Sequence, residues 1–139
     1  VLFVVSFTQS RAKELPPTVL IVEDEFFVRF TTAEFLRDDG FEVLEAENAD
    51  EALGILKSGA PVDLLFTDVR MPGSMDGVAL ATLVRREWPR IPIILTSGYA
   101  PELLSARSVA EDRVISKPYR QQAVVAAIRS FFEEVAPNG

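Results

Sequence analysis

Five side chains capable of chemistry stand where apolar runs end. Glu23 and Asp24 follow VLIV, Asp68 follows LLFT, Thr96 follows IIL and Lys117 follows VIS. The 139 residues include no His and no Cys. That removes Ser-His-Asp triads, His-liganded zinc, thiolate metal sites and disulfides. Chemistry falls to carboxylates, hydroxyls and the Lys and Arg cations. If the three carboxylates gather, they repel: at an effective dielectric of ~20 and about 5 Å, each pair costs roughly 3 kcal/mol. A divalent cation relieves that repulsion, and an all-oxygen donor set suits Mg²⁺ or a relative. Lys117 then offers positive charge to phosphoryl oxygens, Thr96 offers a hydroxyl, and Asp68 is a nucleophile. The combination reads as phosphoryl transfer onto a carboxylate.

Each residue taken singly has a plainer reading. Glu23-Asp24-Glu25 also fits a solvated helix N-terminus favoured by the macrodipole. Asp68 fits a turn cap and Met71-Pro72 a simple turn. Thr96 fits a strand-end hydroxyl bonded to backbone, and Lys117-Pro118 fits surface decoration. Their agreement at one sheet edge separates the two readings, so the elements that carry them matter.

From Thr18 onward the chain alternates between two periods. Val19–Glu25 is an apolar run that ends in acids and reads as a buried strand. Residues 26–39 follow as a helix, with Phe27, Phe30, Phe35 and Leu36 as its apolar positions and Gly40 as its stop. Residues 41–46 alternate as a half-buried strand, and a helix runs from Asn48 or Asp50 to Gly59. Residues 63–67 form the strand leading into Asp68. Residues 76–87 form a helix with Val78, Leu80, Leu83 and Val84 apolar, ending before Pro89. Residues 91–98 are a strand, Pro101 to about Val109 a weak helix, and 114–117 a last short strand stopped by Pro118. Residues 121–135 are a helix with Val124, Val125, Ile128, Phe131 and Phe132 on one face.

Five strand-helix units in strict alternation predict a parallel sheet with helices on both faces. In such sheets ligands bind beyond the carboxyl ends of the strands, which is where the five residues fall. One domain is expected by length. Residues 1–17 are expected as an extension outside the fold, 18–135 as the domain and 136–139 as a tail. The start at Val rather than Met fits a fragment or an unusual start codon.

Composition narrows the partners. The formal net charge of −7 argues against nucleic acid, whose binding rests on phosphate neutralisation. Nothing approaches a transmembrane span. The opening VLFVVSF lacks the flanks of a signal peptide, which leaves a cytoplasmic chain as the expectation.

The order Glu23-Asp24, Asp68 with Met71-Pro72 and Met75-Asp76-Gly77, Thr96, and Lys117-Pro118 resembles the receiver domain of two-component response regulators. The resemblance covers about residues 18–135. It implies a flavodoxin-like (βα)5 fold with strand order 2-1-3-4-5, and phosphorylation of Asp68 by a partner histidine kinase or phosphotransfer protein. It further implies Mg²⁺ held by Asp24, Asp68 and the backbone carbonyl of Arg70, with Glu23 helping directly or through water. A cis Lys117-Pro118 bond is implied as well. Partner binding is expected through the fourth helix, fifth strand and fifth helix. The chain ends shortly after that fifth helix, which suggests a single-domain regulator or, alternatively, the terminal receiver of a truncated hybrid histidine kinase.

Departures from the family pattern are specific. Glu23 stands where many receivers have Asp. MPGSMDG is one residue longer than the usual form, and Ser97 replaces an Ala. Val114 replaces the aromatic residue, Tyr or Phe, whose ring swings inward on activation. Tyr99 and Tyr119 are the candidate substitutes. The expectation is an intact phosphoacceptor with an absent or rewired aromatic switch. A phosphorylation-independent pseudo-receiver fits less well, because acceptor and lysine are both kept. A haloacid-dehalogenase-type phosphatase fails on order: its nucleophile precedes its acidic pair, and Arg70 occupies the place of its second aspartate. The chain is therefore expected to accept a phosphoryl group without being a stand-alone enzyme.

Overall fold

The computed structural model describes residues 15–98 and 113–133. Among the described residues, five strands and four helices follow along the chain: β1 (Thr18–Val22), α1 (Phe26–Asp38), β2 (Glu42–Ala46), α2 (Ala49–Lys57), β3 (Leu64–Asp68), α3 (Gly77–Glu87), β4 (Ile93–Ser97), β5 (Arg113–Ser116) and α4 (Gln121–Ser130). The helix expected at 101–109 lies outside the described residues, so α4 is the fifth helix of the sequence reading. The strands form one parallel sheet in the order β2-β1-β3-β4-β5. This is the expected doubly wound, flavodoxin-like arrangement.

The three central strands β1, β3 and β4 are buried along their whole length because both sheet faces are covered there, whereas the edge strands β2 and β5 keep exposed positions. Along β1, Leu20 and Val22 pack with residues of α2 and α3, including Ala52, Leu56, Leu80 and Val84. Val19 and Ile21 pack on the opposite face with Ala33 and Leu36 of α1 and Val124 and Ile128 of α4. The period of two along a strand thus builds two cores around one central layer. Each fully buried Leu or Ile contributes about 1.5–3 kcal/mol of transfer free energy.

Helix entries follow local rules. Asn48 caps α2 by accepting from the Glu51 amide at 2.8 Å, and Asp76 caps α3 by accepting from the Ala79 amide at 2.9 Å. Such caps satisfy backbone donors that a helix start leaves open. The longer loop before α3 turns at Gly73, whose φ of 105° suits glycine.

The expected apolar face of α1 needs correction. Phe27, Phe30 and Phe35 are 79%, 46% and 43% exposed, whereas Thr32, Ala33 and Leu36 are buried. At about 100° per residue, Phe27 and Leu36 lie on opposite sides of the helix. Small residues at 32 and 33 face the sheet instead. In α4, Val124 and Ile128 are buried and Val125 lies half-buried against the same core, joined there by Phe131 and Phe132 just past the helix end.

Candidate functional site

Parallel strands bring their carboxyl ends to one edge, and backbone bonds extend the ladder past them. The Glu23 amide donates to the Ala46 carbonyl at 3.0 Å, the Val69 amide to Thr96 at 2.9 Å and the Lys117 amide to Ser97 at 2.9 Å. Asp68 is the register partner of Thr96, and Thr96 that of Ile115. The residues after β1, β3 and β5 are therefore held by the sheet itself.

Their side chains meet. Lys117 Nζ lies 2.9 Å from Asp68 Oδ2 and 3.3 Å from Glu23 Oε1. One carboxylate oxygen from each of Glu23, Asp24 and Asp68 lies within 4.8 Å of the others. Glu23 and Asp68 are buried and Asp24 is exposed. Glu23 Oε2 accepts from the Glu25 amide at 3.0 Å, so both its oxygens have partners. Beside them opens a cavity of about 470 Å³ whose charged lining is Glu23, Asp24, Glu25, Asp68, Arg70 and Lys117, with Ser97 and Gly98 completing it. Among the described residues, four acids and two cations leave two formal negative charges there, which one divalent cation would balance.

Burial is the largest influence on the Glu23 carboxyl and raises its pKa; the Asp68 charge adds to this, against the Glu25 amide and Lys117. Burial pulls the Lys117 ammonium down, but Asp68 and Glu23 together outweigh it and the pKa is raised. The lysine is therefore charged at neutral pH. Hard oxygen donors, close spacing and residual negative charge fit Mg²⁺.

Thr96 is brought beside Asp68 in register but is 1% exposed, and Ser97 and Gly98 line the open cavity instead. Pleat alternation puts Thr96 and Asp68 on the α1–α4 face of the sheet. The Arg70 amide donates weakly to Asp68 Oδ1, at 3.4 Å. The Lys117-Pro118 peptide is cis. Val114 is 37% exposed and, opposite Leu95 in register, lies on the α2–α3 face. Tyr119 packs edge-on against Phe66 in the other core, with ring centroids 6.2 Å apart. It is thus on the wrong face to stand in for the missing aromatic. Tyr99 lies outside the described residues.

Three contributors escaped sequence reasoning. A Cβ on Gly77 would lie 1.9 Å from the Asp68 carbonyl oxygen, so the helix start sits against the acceptor strand. Arg29 Nη1 donates to the Glu23 carbonyl at 2.7 Å. The Glu25 amide holds Glu23. Only Gly77 had a signal, the MDG motif; a lone helical Arg and a backbone amide carry none.

Residues 19–129 match the model of the family described as response regulator receiver domain. The chain belongs to this family. It is 34% identical over 120 residues to the sensor kinase CckA of Brucella abortus, covering 84% of this chain and 13% of that protein. A response regulator receiver protein from Sinorhizobium medicae superposes with a TM-score of 0.78 at 28% identity, covering 85% of this chain and 95% of that one. The response regulator TrrA of Thermotoga maritima, solved in complex with Mg²⁺-BeF, gives 0.73 at 29% identity, covering 82% and 97%. The chain spans between 13% and 54% of the first curated relatives' own length. As a receiver domain it is a two-component signalling module, and the family is generally a phosphoacceptor. Among the described residues no helix is long and apolar enough to cross a membrane.

Proposed function

We propose that Asp68 takes a phosphoryl group from a phosphohistidine donor, a histidine kinase or phosphotransfer protein, and that the phosphorylated chain changes its binding of a downstream protein. The supporting observation is the contact of Lys117 Nζ with Asp68 Oδ2 at 2.9 Å, beside two further carboxylates within 4.8 Å. An Asp68 oxygen forms the new bond to phosphorus while the phosphorus–nitrogen bond of the donor breaks. The donor imidazole leaves with that electron pair and takes up a proton. Lys117 shifts its ammonium contact from the carboxylate to a phosphoryl oxygen, and Thr96, buried before transfer, turns its hydroxyl toward another and donates to it.

Asp24, Asp68 and the Arg70 carbonyl would hold Mg²⁺, with Glu23 adjacent. When bound, the ion supplies charge neutralisation between the acids and the incoming phosphoryl oxygens. The receiver unit is residues 18–135, with 1–17 and 136–139 outside it, and its workplace is the cytoplasm. Output passes through the segment around 101–109, β5 and α4. With Val114 in place of an aromatic, phosphorylation proceeds without the usual ring swing. Similarity to the sensor kinase CckA and to the receiver domain of the hybrid histidine kinase CckA keeps a hybrid-kinase receiver as the second reading.

Incubation with labelled acetyl phosphate and Mg²⁺ tests the acceptor role. Incorporation approaching one equivalent, lost in Asp68→Asn and with chelator, is the expected result. Turnover of many equivalents of a phosphomonoester, or label persisting in Asp68→Asn, would refute it. Spectra with and without beryllofluoride test the switch, with small shifts at Val114 expected and large ones of the usual pattern counting against it.

A further inference from the structure

Arg29 lies on the first turn of α1, and its guanidinium is committed on three sides. Nη1 donates to the backbone carbonyl of Glu23 at 2.7 Å. Nε donates to Glu45 Oε1 on β2 at 3.1 Å, with the arginine side chain only 13% exposed. The guanidinium carbon stands 5.5 Å from the Phe26 ring centroid. Glu45 is in turn held by Arg37 Nη2 at 3.1 Å, which fixes the anchor.

The gripped carbonyl belongs to the peptide between Glu23 and Asp24. Rotation of that peptide would change how the two acids face Asp68. A short charge-assisted bond to it opposes the rotation. Glu23 is restrained by Lys117 and the Glu25 amide as well, but Asp24 is exposed. The orientation of Asp24 therefore depends on the backbone that carries it.

We infer that Arg29 is a positioning residue for the divalent-cation site: by holding the Glu23–Asp24 peptide against α1 and β2, it sets the direction in which the acids present their oxygens. This rests on the Mg²⁺ reading proposed above. Groups that orient metal ligands from outside typically govern affinity by about 10–100-fold.

Titration of the full chain with Mn²⁺, followed by the EPR signal of the free ion, tests the inference, with circular dichroism confirming that each variant is folded. Arg29→Gln is expected to bind about tenfold more weakly. Arg29→Lys keeps a donor for the carbonyl and should recover to within about threefold of the parent. Arg129→Gln removes comparable ion pairs, to Asp39 and Glu133, without touching that carbonyl or its Glu45 anchor, and should stay within about twofold. Asp24→Asn should lose binding. Parent affinity in Arg29→Gln alongside lost binding in Asp24→Asn would overturn the inference alone, as would Arg29→Lys binding as weakly as Arg29→Gln. Parent affinity in Asp24→Asn would overturn the metal reading. If Arg29→Gln does not fold, Glu45→Gln carries the test: about threefold weaker binding supports the grip, and parent affinity contradicts it.

Discussion

Gly77 has no side chain because the acceptor strand occupies the space. A methyl group there would meet the Asp68 carbonyl oxygen at 1.9 Å and the backbone of Val69. The Gly77 amide also donates to the Val69 carbonyl at 2.8 Å. Gly77→Ala must therefore push α3 away from the site or twist the end of β3. Urea denaturation should show a loss of about 1–3 kcal/mol, the usual scale of overpacking, with slower labelling of Asp68. An unchanged midpoint would mean the helix start is free to slide. Glu23 carries a second residue-scale prediction. Its folded pKa is raised above 4.5 by burial and by Asp68, so the folded chain holds that proton more tightly than the unfolded one. In metal-free protein this contribution favours folding at low pH. It is lost as pH rises from about 4.5 through the raised folded value. Glu23→Gln should flatten that part of the stability curve, which denaturant titrations at a series of pH values would reveal. An identical slope in the variant would contradict the assignment.

Strands and helices differ in how plainly they could be read. The buried central strands appear as apolar runs because both their faces are covered, β2 showed as alternation and β5 as a short run before Pro118, so all five were legible, with ends within three residues. Helix existence was legible too, from entries such as Asn48 and stops such as Gly40. The orientation of α1 was not. Its phenylalanines suggested an inward face, yet Thr32, Ala33 and Leu36 pack on the sheet and Phe26, Phe27 and Phe30 point outward. Close approach of helix to sheet favours small residues at the contact, and aromatic bulk then finds room only outside. Leu36→Ala should cost about 2–5 kcal/mol, as buried leucine truncations do. Phe27→Ala should fall within about 0.5 kcal/mol, as exposed positions do. Thermal unfolding of the pair decides it: equal losses would mean that α1 is rotated from the position described here.

Across the whole molecule, the candidate site exists only once the sheet has formed. Lys117 and Glu23 are 94 positions apart and Lys117 and Asp68 are 49 apart, so no local segment contains the site. Its members were legible because each sits at the end of a strand and the strand order was predictable. What escaped was the support around them: Arg29 under the acidic turn, the Glu25 amide and the Gly77 contact are pairings in space with no periodicity. A site absent from the unfolded chain also makes a global prediction. A divalent ion should bind the native state alone, raising stability by about 2.7 kcal/mol at a hundredfold excess over its dissociation constant. Asp24→Asn should remove that gain, and thermal melts with and without Mg²⁺ would show it.

Trapping the acyl phosphate with borohydride and mapping the modified residue by peptide mass spectrometry puts the central assignment to its most direct test. After exposure to a phosphohistidine donor and Mg²⁺, the modification should fall on Asp68 alone. Modification at Asp24 or at Glu23, or none on an intact folded chain, would show that the lysine contact and the acidic pair serve another purpose.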